Sequence, residues 1–181
     1  FCKGEGGASP VDLGDVINYY NAAVANLPDH TKLKELHLAH NSISDISVLS
    51  SCPALTYVDL GYNSISDISV LAELPALVDL YVSNNQITVF PTFSKSTPLW
   101  HVDVSHNAIE DLSGLEGNLS LNFIYADYNK IKSIAVLESC SMLVQMDLWD
   151  NPVSAEEVKK LQDVGIIINY NPNYQEPTEA A

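Results

Sequence analysis

The sequence predicts an α/β solenoid, a curved stack of repeats with parallel strands on the concave face and short helical or extended turns on the convex face. Three observations carry this prediction. Apolar residues alternate at positions four and six of each repeat, as in a short strand with one buried face. The ninth residue of every repeat is Asn, and the eleventh is Ile or Val. Leucine recurs every 22 residues without insertion or deletion, at Leu33, Leu55, Leu77, Leu99, Leu121 and Leu143.

The ends of the chain differ from the repeats, as a solenoid requires, because an uncapped terminal repeat would expose its core. We expect residues 1–10 to be disordered or a linker remnant. Residues 11–32 are predicted to form an N-terminal helical cap, with an amphipathic helix over about residues 12–26. Six 22-residue repeats occupy residues 33–164, and residues 165–181 form a C-terminal cap strand and tail.

The asparagine at position nine has a structural explanation. The chain must leave each strand sharply, and a side-chain amide can bond the backbone groups of its own turn and of the adjacent turn. We therefore expect these residues to form a structural ladder through the stack: Asn41, Asn63, Asn85, Asn107, Asn129 and Asn151.

The repeat template LxxLxLxxNxI resembles the leucine-rich-repeat family, specifically the 22-residue class found in bacterial internalins and in protein-phosphatase regulatory subunits. The resemblance covers Leu33 to about Val164. It implies a parallel sheet on the concave face and a function in binding other macromolecules. The first two repeats share close sequence identity, a feature that resembles internalin repeat regions. The resemblance implies a bacterial cell-surface protein.

The convex segments are predicted from their first residues. Asp45, Asp67 and Asp111 occupy the same repeat position, where a carboxylate can cap a short helical turn. The third repeat reads Thr88-Val89-Phe90-Pro91-Thr92-Phe93 instead, so its convex segment is predicted to be extended.

The C-terminal end of the repeat region carries a helix signal. Ser154-Ala155-Glu156-Glu157 has the spacing of a capping box, and the following helix is expected to end near Gly165. Ile166, Ile167 and Ile168 then predict an edge strand.

Composition bounds the class of partner. The chain has 181 residues, 46% of them hydrophobic, which is enough to bury one core. Eight basic residues, all Lys, stand against 23 acidic residues, giving a formal charge of -15. Nucleic acid and anionic membranes are therefore disfavoured partners. The absence of Arg weakens any prediction of phosphate or nucleotide capture, and no apolar run is long enough for direct membrane insertion.

The three cysteines, Cys2, Cys52 and Cys140, have no CxxC spacing, which argues against a zinc site and against a disulfide scaffold. Cys52 and Cys140 occupy one repeat position four repeats apart, roughly 19 Å at the spacing of parallel strands, so they cannot pair. We expect free structural thiols.

The concave face is the candidate ligand-binding site. Positions three, five and seven of each repeat point away from the core, and there aromatic and acidic residues predominate. Exposed rings beside charges are typical of interface hot spots. The alternative is that neighbouring rings only stabilise the sheet, at roughly 0.2–1 kcal/mol per pair. The predicted ligand-binding residues are His37, Tyr57, Asp59, Tyr81, His101, Asp103, Phe123, Tyr125, Asp147 and Trp149.

The same face contains the composition of a hydrolase triad in His101, Asp103 and Ser105. Successive residues on one face of a strand lie roughly 6.5–7 Å apart, and an open sheet supplies no oxyanion hole. The histidine pairs at positions three or five and eight lie three repeats apart, too far for one metal ion. We expect no enzyme activity, no metal and no cofactor.

These observations predict a monomeric module that binds a protein ligand on its concave face, in adhesion or another surface interaction. An intracellular regulatory subunit that binds an enzyme such as a phosphatase is the alternative, and three free thiols fit a reducing compartment. The expected location is the cell surface or the secreted fraction, with the cytoplasm as the alternative. A carbohydrate is the alternative ligand, because aromatic faces stack on sugars.

Overall fold

The computed structural model describes residues 30–174. The predicted N-terminal cap helix, the predicted linker remnant and the tail from residue 175 lie outside the described residues. The described part of the chain starts with a 3₁₀ turn at His30–Lys32. Residues 171–174, which belong to the predicted tail, form a turn in which the Tyr174 N–H donates to the Asn171 carbonyl at 3.2 Å.

One open, curved parallel sheet runs through the described residues, with its strands in sequence order. Each strand pairs with the equivalent residues of the next repeat, so that Leu36 aligns with Val58 and Val58 with Leu80. The predicted solenoid is confirmed. The strands are β1 Glu35–His37, β2 Tyr57–Asp59, β3 Asp79–Tyr81, β4 His101–Asp103, β5 Phe123–Tyr125, β6 Gln145–Asp147 and β7 Ile167–Asn169.

The core lies between the sheet and the convex turns as a single hydrophobic cluster. Residues at positions one, four, six and eleven supply it, and in the second repeat Leu55, Val58, Leu60 and Ile65 are completely buried. Burying each such side chain contributes about 1.5–3 kcal/mol. Stacking of repeats therefore supplies the stability that one 22-residue unit lacks.

The position-nine asparagines join neighbouring repeats by hydrogen bonds. In the second repeat the Asn63 amide nitrogen donates to the carbonyls of Leu60 and Gly61, and also to Leu38 of the preceding repeat. The Asn63 amide oxygen accepts the N–H of Ile43 at 2.9 Å. The same four bonds recur at Asn85, Asn107, Asn129 and Asn151.

The residue before each asparagine turns the chain out of the strand with a positive φ. All six values lie between 53° and 58°, although none of these residues is glycine. This left-handed conformation is uncommon for other residues and needs surrounding bonds to hold it. One such bond comes from the backbone N–H of the position-eight residue. The N–H groups of His40 and Tyr62 each donate at 2.8 Å to a carbonyl of the following repeat. The six residues are His40, Tyr62, Asn84, His106, Tyr128 and Asp150.

Short 3₁₀ turns form the convex side. Each predicted capping aspartate accepts the N–H of the first turn residue: Asp45 from Ser47, Asp67 from Ser69, and Asp111 from Ser113. These bonds lower the pKa of Asp45 and Asp67 below the ordinary value. The turns are Ser47–Ser51, Ser69–Glu73, Ser113–Leu115 and Ala135–Ser139.

The third repeat has an extended convex segment and no helical turn, as predicted. It lies directly against the fourth repeat at Gly114. The Phe93 N–H donates to the Gly114 carbonyl at 3.0 Å. A Cβ atom at Gly114 would lie 2.1 Å from the carbonyl oxygen of Pro91. Only glycine fits there without displacing the extended segment.

The C-terminal helix α1, Ala155–Asp163, is followed by β7 at the edge of the sheet. The predicted capping box is wrong, because Ser154 makes no side-chain bond to the helix. The Glu157 carboxylate instead accepts the Ile134 N–H at 2.8 Å and the Ser133 hydroxyl at 3.0 Å. Ser133 stands where other repeats have the capping aspartate, and its hydroxyl oxygen accepts the Ala135 N–H at 3.3 Å. Glu157 thus braces this turn from the helix through the Ser133 hydroxyl and the neighbouring N–H.

Cys52 and Cys140 are free and buried, as expected. The Cys140 thiol donates to the Leu115 carbonyl at 3.3 Å, and burial raises the pKa of this thiol. Both cysteines therefore pack as small apolar residues.

Candidate functional site

The concave face consists of positions three, five and seven of the six repeats, and at positions three and five it alternates carboxylates and rings in two directions. Along β2, Tyr57 is followed by Asp59, whereas along β3 the order is reversed. Across the strands, Tyr57 aligns with Asp79, and Asp59 with Tyr81. The result is a checkerboard with one ring and one carboxylate on each of the first four strands. It changes at β5, where Phe123 and Tyr125 are both aromatic.

The rings form a continuous strip across five strands, since each ring contacts the next. Centroid distances are 4.7 Å for His37–Tyr57, 5.3 Å for Tyr57–Tyr81, 4.7 Å for Tyr81–His101 and 5.0 Å for His101–Tyr125. Trp100 and Phe123, near the starts of β4 and β5, widen the strip at its β5 end. Phe123 lies 4.9 Å from Trp100 in an edge-to-face contact.

Tyr81 and His101 occupy the centre of the strip. The Tyr81 hydroxyl and the His101 Nδ1 share a hydrogen bond of 3.3 Å. Burial, reinforced by the charge of Asp79, raises the pKa of Tyr81 to about 12. Burial lowers the pKa of His101, although Asp79 and Asp103 oppose this shift. The His101 Nε2 is the buried side-chain polar atom in residues 30–174 that has no hydrogen-bond partner.

The carboxylates of the position-five row are available to a ligand. Asp59 and Asp103 each use one oxygen to accept the N–H two residues ahead, from Gly61 and Ser105. Asp147 accepts from Asn169 at 2.6 Å and from Gln145 at 3.3 Å. None of the three forms an ion pair within the described part of the chain, and no lysine occupies position three, five or seven of any repeat.

Trp149 lies apart from the ring strip, with 48% of its surface exposed and no ring contact to any described residue. The Trp149 backbone N–H donates to the Asp127 carboxylate at 2.7 Å. Burial raises the pKa of Asp127 despite that bond. Six of the ten predicted residues therefore lie in the checkerboard on β1 to β4, and Phe123 and Tyr125 continue the rings onto β5. Asp147 lies on β6, and Trp149 lies beside the strip.

Sequence reasoning left three features of this face unassigned. Glu35 and Asp79 complete the alternation of rings and carboxylates. The sequence signal for them is that ring and carboxylate exchange positions three and five from one repeat to the next. At the rim, His40 stacks on Tyr62 and His106 on Tyr128, both with centroids 4.3 Å apart. The recurrence of His and Tyr at position eight in adjacent repeats could have indicated these pairs.

His101, Asp103 and Ser105 do not form the hydrogen-bonded chain of a hydrolase triad. His101 bonds Tyr81 rather than Asp103, and the Asp103 carboxylate accepts a backbone N–H. Among the described residues, no group of three His, Cys, Asp or Glu side chains could hold a metal ion. No helix in residues 30–174 is both long and apolar enough to span a membrane.

The fold and the asparagine ladder define a leucine-rich-repeat solenoid. A family model described as leucine-rich repeats in two copies matches residues 31–73. The chain is 30% identical to internalin C2 of Listeria monocytogenes, with a TM-score of 0.73 over 82% of this chain and 64% of that chain. The described residues therefore have the leucine-rich-repeat fold, and the repeat region is similar to that of an internalin.

Two further solved structures have the same fold. An internalin F of Listeria monocytogenes is 26% identical, with a TM-score of 0.69 over 78% of this chain. A leucine-rich-repeat protein of Leptospira interrogans, 23% identical, has a TM-score of 0.70 over 76% of this chain and shows the fold alone. The chain spans 44% and 37% of these two structures' lengths. No curated protein sequence matches it significantly.

Proposed function

We propose that the concave face binds a protein ligand, in adhesion or another surface interaction, and that the chain does not catalyse a reaction. The leucine-rich-repeat fold is a scaffold for protein–protein recognition. The observation that carries the proposal is the checkerboard of rings and carboxylates on an open sheet, in which Asp59 and Asp103 form no ion pair with any described residue. Its central residues Tyr57, Tyr81 and Tyr125 are half-buried and uncovered by any other described element.

Sheet stabilisation alone does not explain this face. Ring-to-ring contacts stabilise a sheet, but carboxylates on neighbouring strands repel one another. Glu35, Asp59, Asp79 and Asp103 place one such charge on each of four successive strands. A ligand that covers the rings and neutralises the carboxylates accounts for both residue types, because rings supply binding area with little loss of rotamer freedom.

The proposed location is the cell surface or the secreted fraction, and the similarity to internalins supports it. A cytoplasmic regulatory subunit that binds an enzyme such as a phosphatase is the second candidate. The two buried free thiols, Cys52 and Cys140, favour it, because reducing compartments keep thiols unpaired. A carbohydrate remains the alternative ligand for the ring strip.

Cross-linking capture with matched baits tests the proposal. The concave variant carries Asp59→Lys and Asp103→Lys. The control carries Glu73→Lys and Glu138→Lys, an equal charge change on exposed residues of the convex turns. Baits of equal thermal stability are incubated with host-cell surface fractions and with cell lysate, and captured proteins are identified by mass spectrometry.

We expect a protein that is retained by the wild type and by the convex control but lost from the concave variant. The fraction that supplies this protein decides between the two proposed locations. Equal retention by all three baits, or loss from the convex control alone, would show that the concave face is not the binding site.

A further inference from the structure

We propose that the segment bound by this face is a polyproline II helix with a basic side chain at every third residue. It would lie across the strands along the position-five row. This inference rests on the proposed function and specifies the chemistry of its ligand.

The spacing of the carboxylates carries the proposal. Asp59, Asp103 and Asp147 lie on β2, β4 and β6, so the backbones that carry successive carboxylates are two strand spacings apart, roughly 9.6 Å. Three residues of polyproline II advance roughly 9.3 Å and return to the same side of the helix. Over the two intervals between three carboxylates, the mismatch is roughly 0.6 Å.

Other regular ligand conformations fit less well. An extended β-strand places residues of one face roughly 6.8 Å apart, which matches neither one nor two strand spacings. Seven residues of an α-helix advance roughly 10.5 Å, and the mismatch grows to roughly 1.8 Å over two intervals. Addition of a ligand strand is also disfavoured, because β2 to β6 already pair on both sides within the sheet.

The rings between the carboxylates fit the other two residues of each ligand triplet. Tyr81 lies between Asp59 and Asp103 in the row, and Tyr125 between Asp103 and Asp147. Aromatic rings are the surfaces on which proline-rich polyproline II segments dock. The row thus offers carboxylate, ring, carboxylate, ring and carboxylate to a segment that presents basic, proline, proline in each turn.

The charge of the face fits as well. Among the described residues the three carboxylates have no cationic partner. Positions three, five and seven contain no lysine that would repel a basic ligand. Arginine is the better basic residue, because its planar group bonds carboxylates and stacks on rings.

Two synthetic peptides of identical composition test the proposal. The first contains four Arg-Pro-Pro triplets, and the second contains four Arg-Pro pairs followed by four prolines. Both carry the same charge, so only the spacing of the arginines differs. Binding of each labelled peptide to the full chain is measured by fluorescence anisotropy at physiological ionic strength. A helical peptide with arginines at heptad spacing is measured alongside.

We expect the triplet peptide to bind about tenfold more tightly than its isomer, because the isomer aligns fewer arginines with carboxylates. Asp59→Asn, Asp103→Asn and Asp147→Asn each remove a charge but keep an oxygen that can accept the internal hydrogen bonds. Each should weaken the triplet peptide about threefold and reduce its advantage over the isomer. Glu73→Gln, on the convex side, should change neither affinity.

Equal affinity of the two isomers, tighter binding of the helical peptide, or no binding of the triplet peptide would overturn the polyproline II proposal. None of these outcomes bears on the capture experiment, which tests whether a protein ligand depends on the concave face at all. If capture proves independent of the face, both proposals are wrong.

Discussion

His101 is held at the centre of the ring strip by contacts with Tyr81 and Tyr125, while its Nε2 is buried and unpaired. Adding a proton there places a charge in a poorly solvated site, which is why burial lowers the pKa of this histidine. The nearby carboxylates of Asp79 and Asp103 reduce that effect without reversing it.

The pKa shift of His101 predicts a loss of stability in mild acid. Its folded pKa lies below the ordinary value of 6.5, so the unfolded chain binds the proton more readily. Its contribution to stability is therefore complete above about pH 6.5 and is lost as the pH falls through the folded pKa. Urea unfolding at pH 7 and pH 5.5 should show a smaller decrease for His101→Phe than for the wild type or for His106→Phe. An identical decrease in all three would contradict this account.

The asparagine ladder predicts different costs for chemically identical substitutions. Asn107 bonds three carbonyls and the Ile87 N–H, whereas within residues 30–174 the exposed Asn41 bonds two carbonyls, of Leu38 and Ala39. Asn107→Ala should lower the free energy of unfolding by about 3 kcal/mol, because it leaves shielded groups unpaired. Asn41→Ala should cost under about 1 kcal/mol. Urea denaturation measures both values, and equal losses would show that the bonds between repeats contribute little.

The contact between the third and fourth repeats limits the fourth repeat to glycine at position 114. Gly114→Ala should destabilise the chain by about 2–3 kcal/mol, because the extended segment must move away from the new methyl group. Gly61→Ala is the matched control, since the nearest atoms to its added Cβ lie at 3.4 Å. Thermal unfolding compares the two variants. A Gly114→Ala protein as stable as Gly61→Ala would mean that the extended segment moves freely.

Local sequence patterns predicted most of the repeat architecture, because each 22-residue unit has the same succession of strand, turn and convex segment. The strands, the capping aspartates and the extended third repeat all follow from residues adjacent in sequence. Glu157 was assigned wrongly because a capping-box spacing is local, whereas its real partners, Ser133 and Ile134, lie in the preceding repeat. The positive φ of Tyr62 also carried no signal, since tyrosine rarely adopts that conformation.

The candidate site was predicted as a set of residues but not as a pattern. The columns of position three alone and position five alone each show a mixture of rings and charges along the repeats. The checkerboard emerges only when the register of neighbouring strands joins the columns. Trp149 occupies position seven, outside the two positions that supply the strip, so its side chain lies beside the strip rather than in it.

The net charge of the whole chain, -15, predicts a stabilising effect of salt. Repulsion among carboxylates opposes the compact state, and the screening length falls from about 30 Å at 0.01 M salt to about 10 Å at 0.1 M. Raising sodium chloride over this range should increase the Tm by about 2–4 °C, which corresponds to about 1 kcal/mol at this chain length. The increase should be smaller in a variant that combines Asp59→Asn, Asp103→Asn and Asp147→Asn. A Tm that falls with salt would indicate that attractive ion pairs dominate.

The alternation of the checkerboard also constrains how such a protein can lengthen. The backbone structure repeats every 22 residues, but the pattern of ring and carboxylate returns only after two repeats. Duplication of a single repeat would set ring beside ring and carboxylate beside carboxylate at the junction, shifting everything beyond it out of phase. Duplication of a pair would extend the face in phase. Growth by unequal recombination can therefore preserve folding at any repeat number, yet it preserves this surface only in even steps.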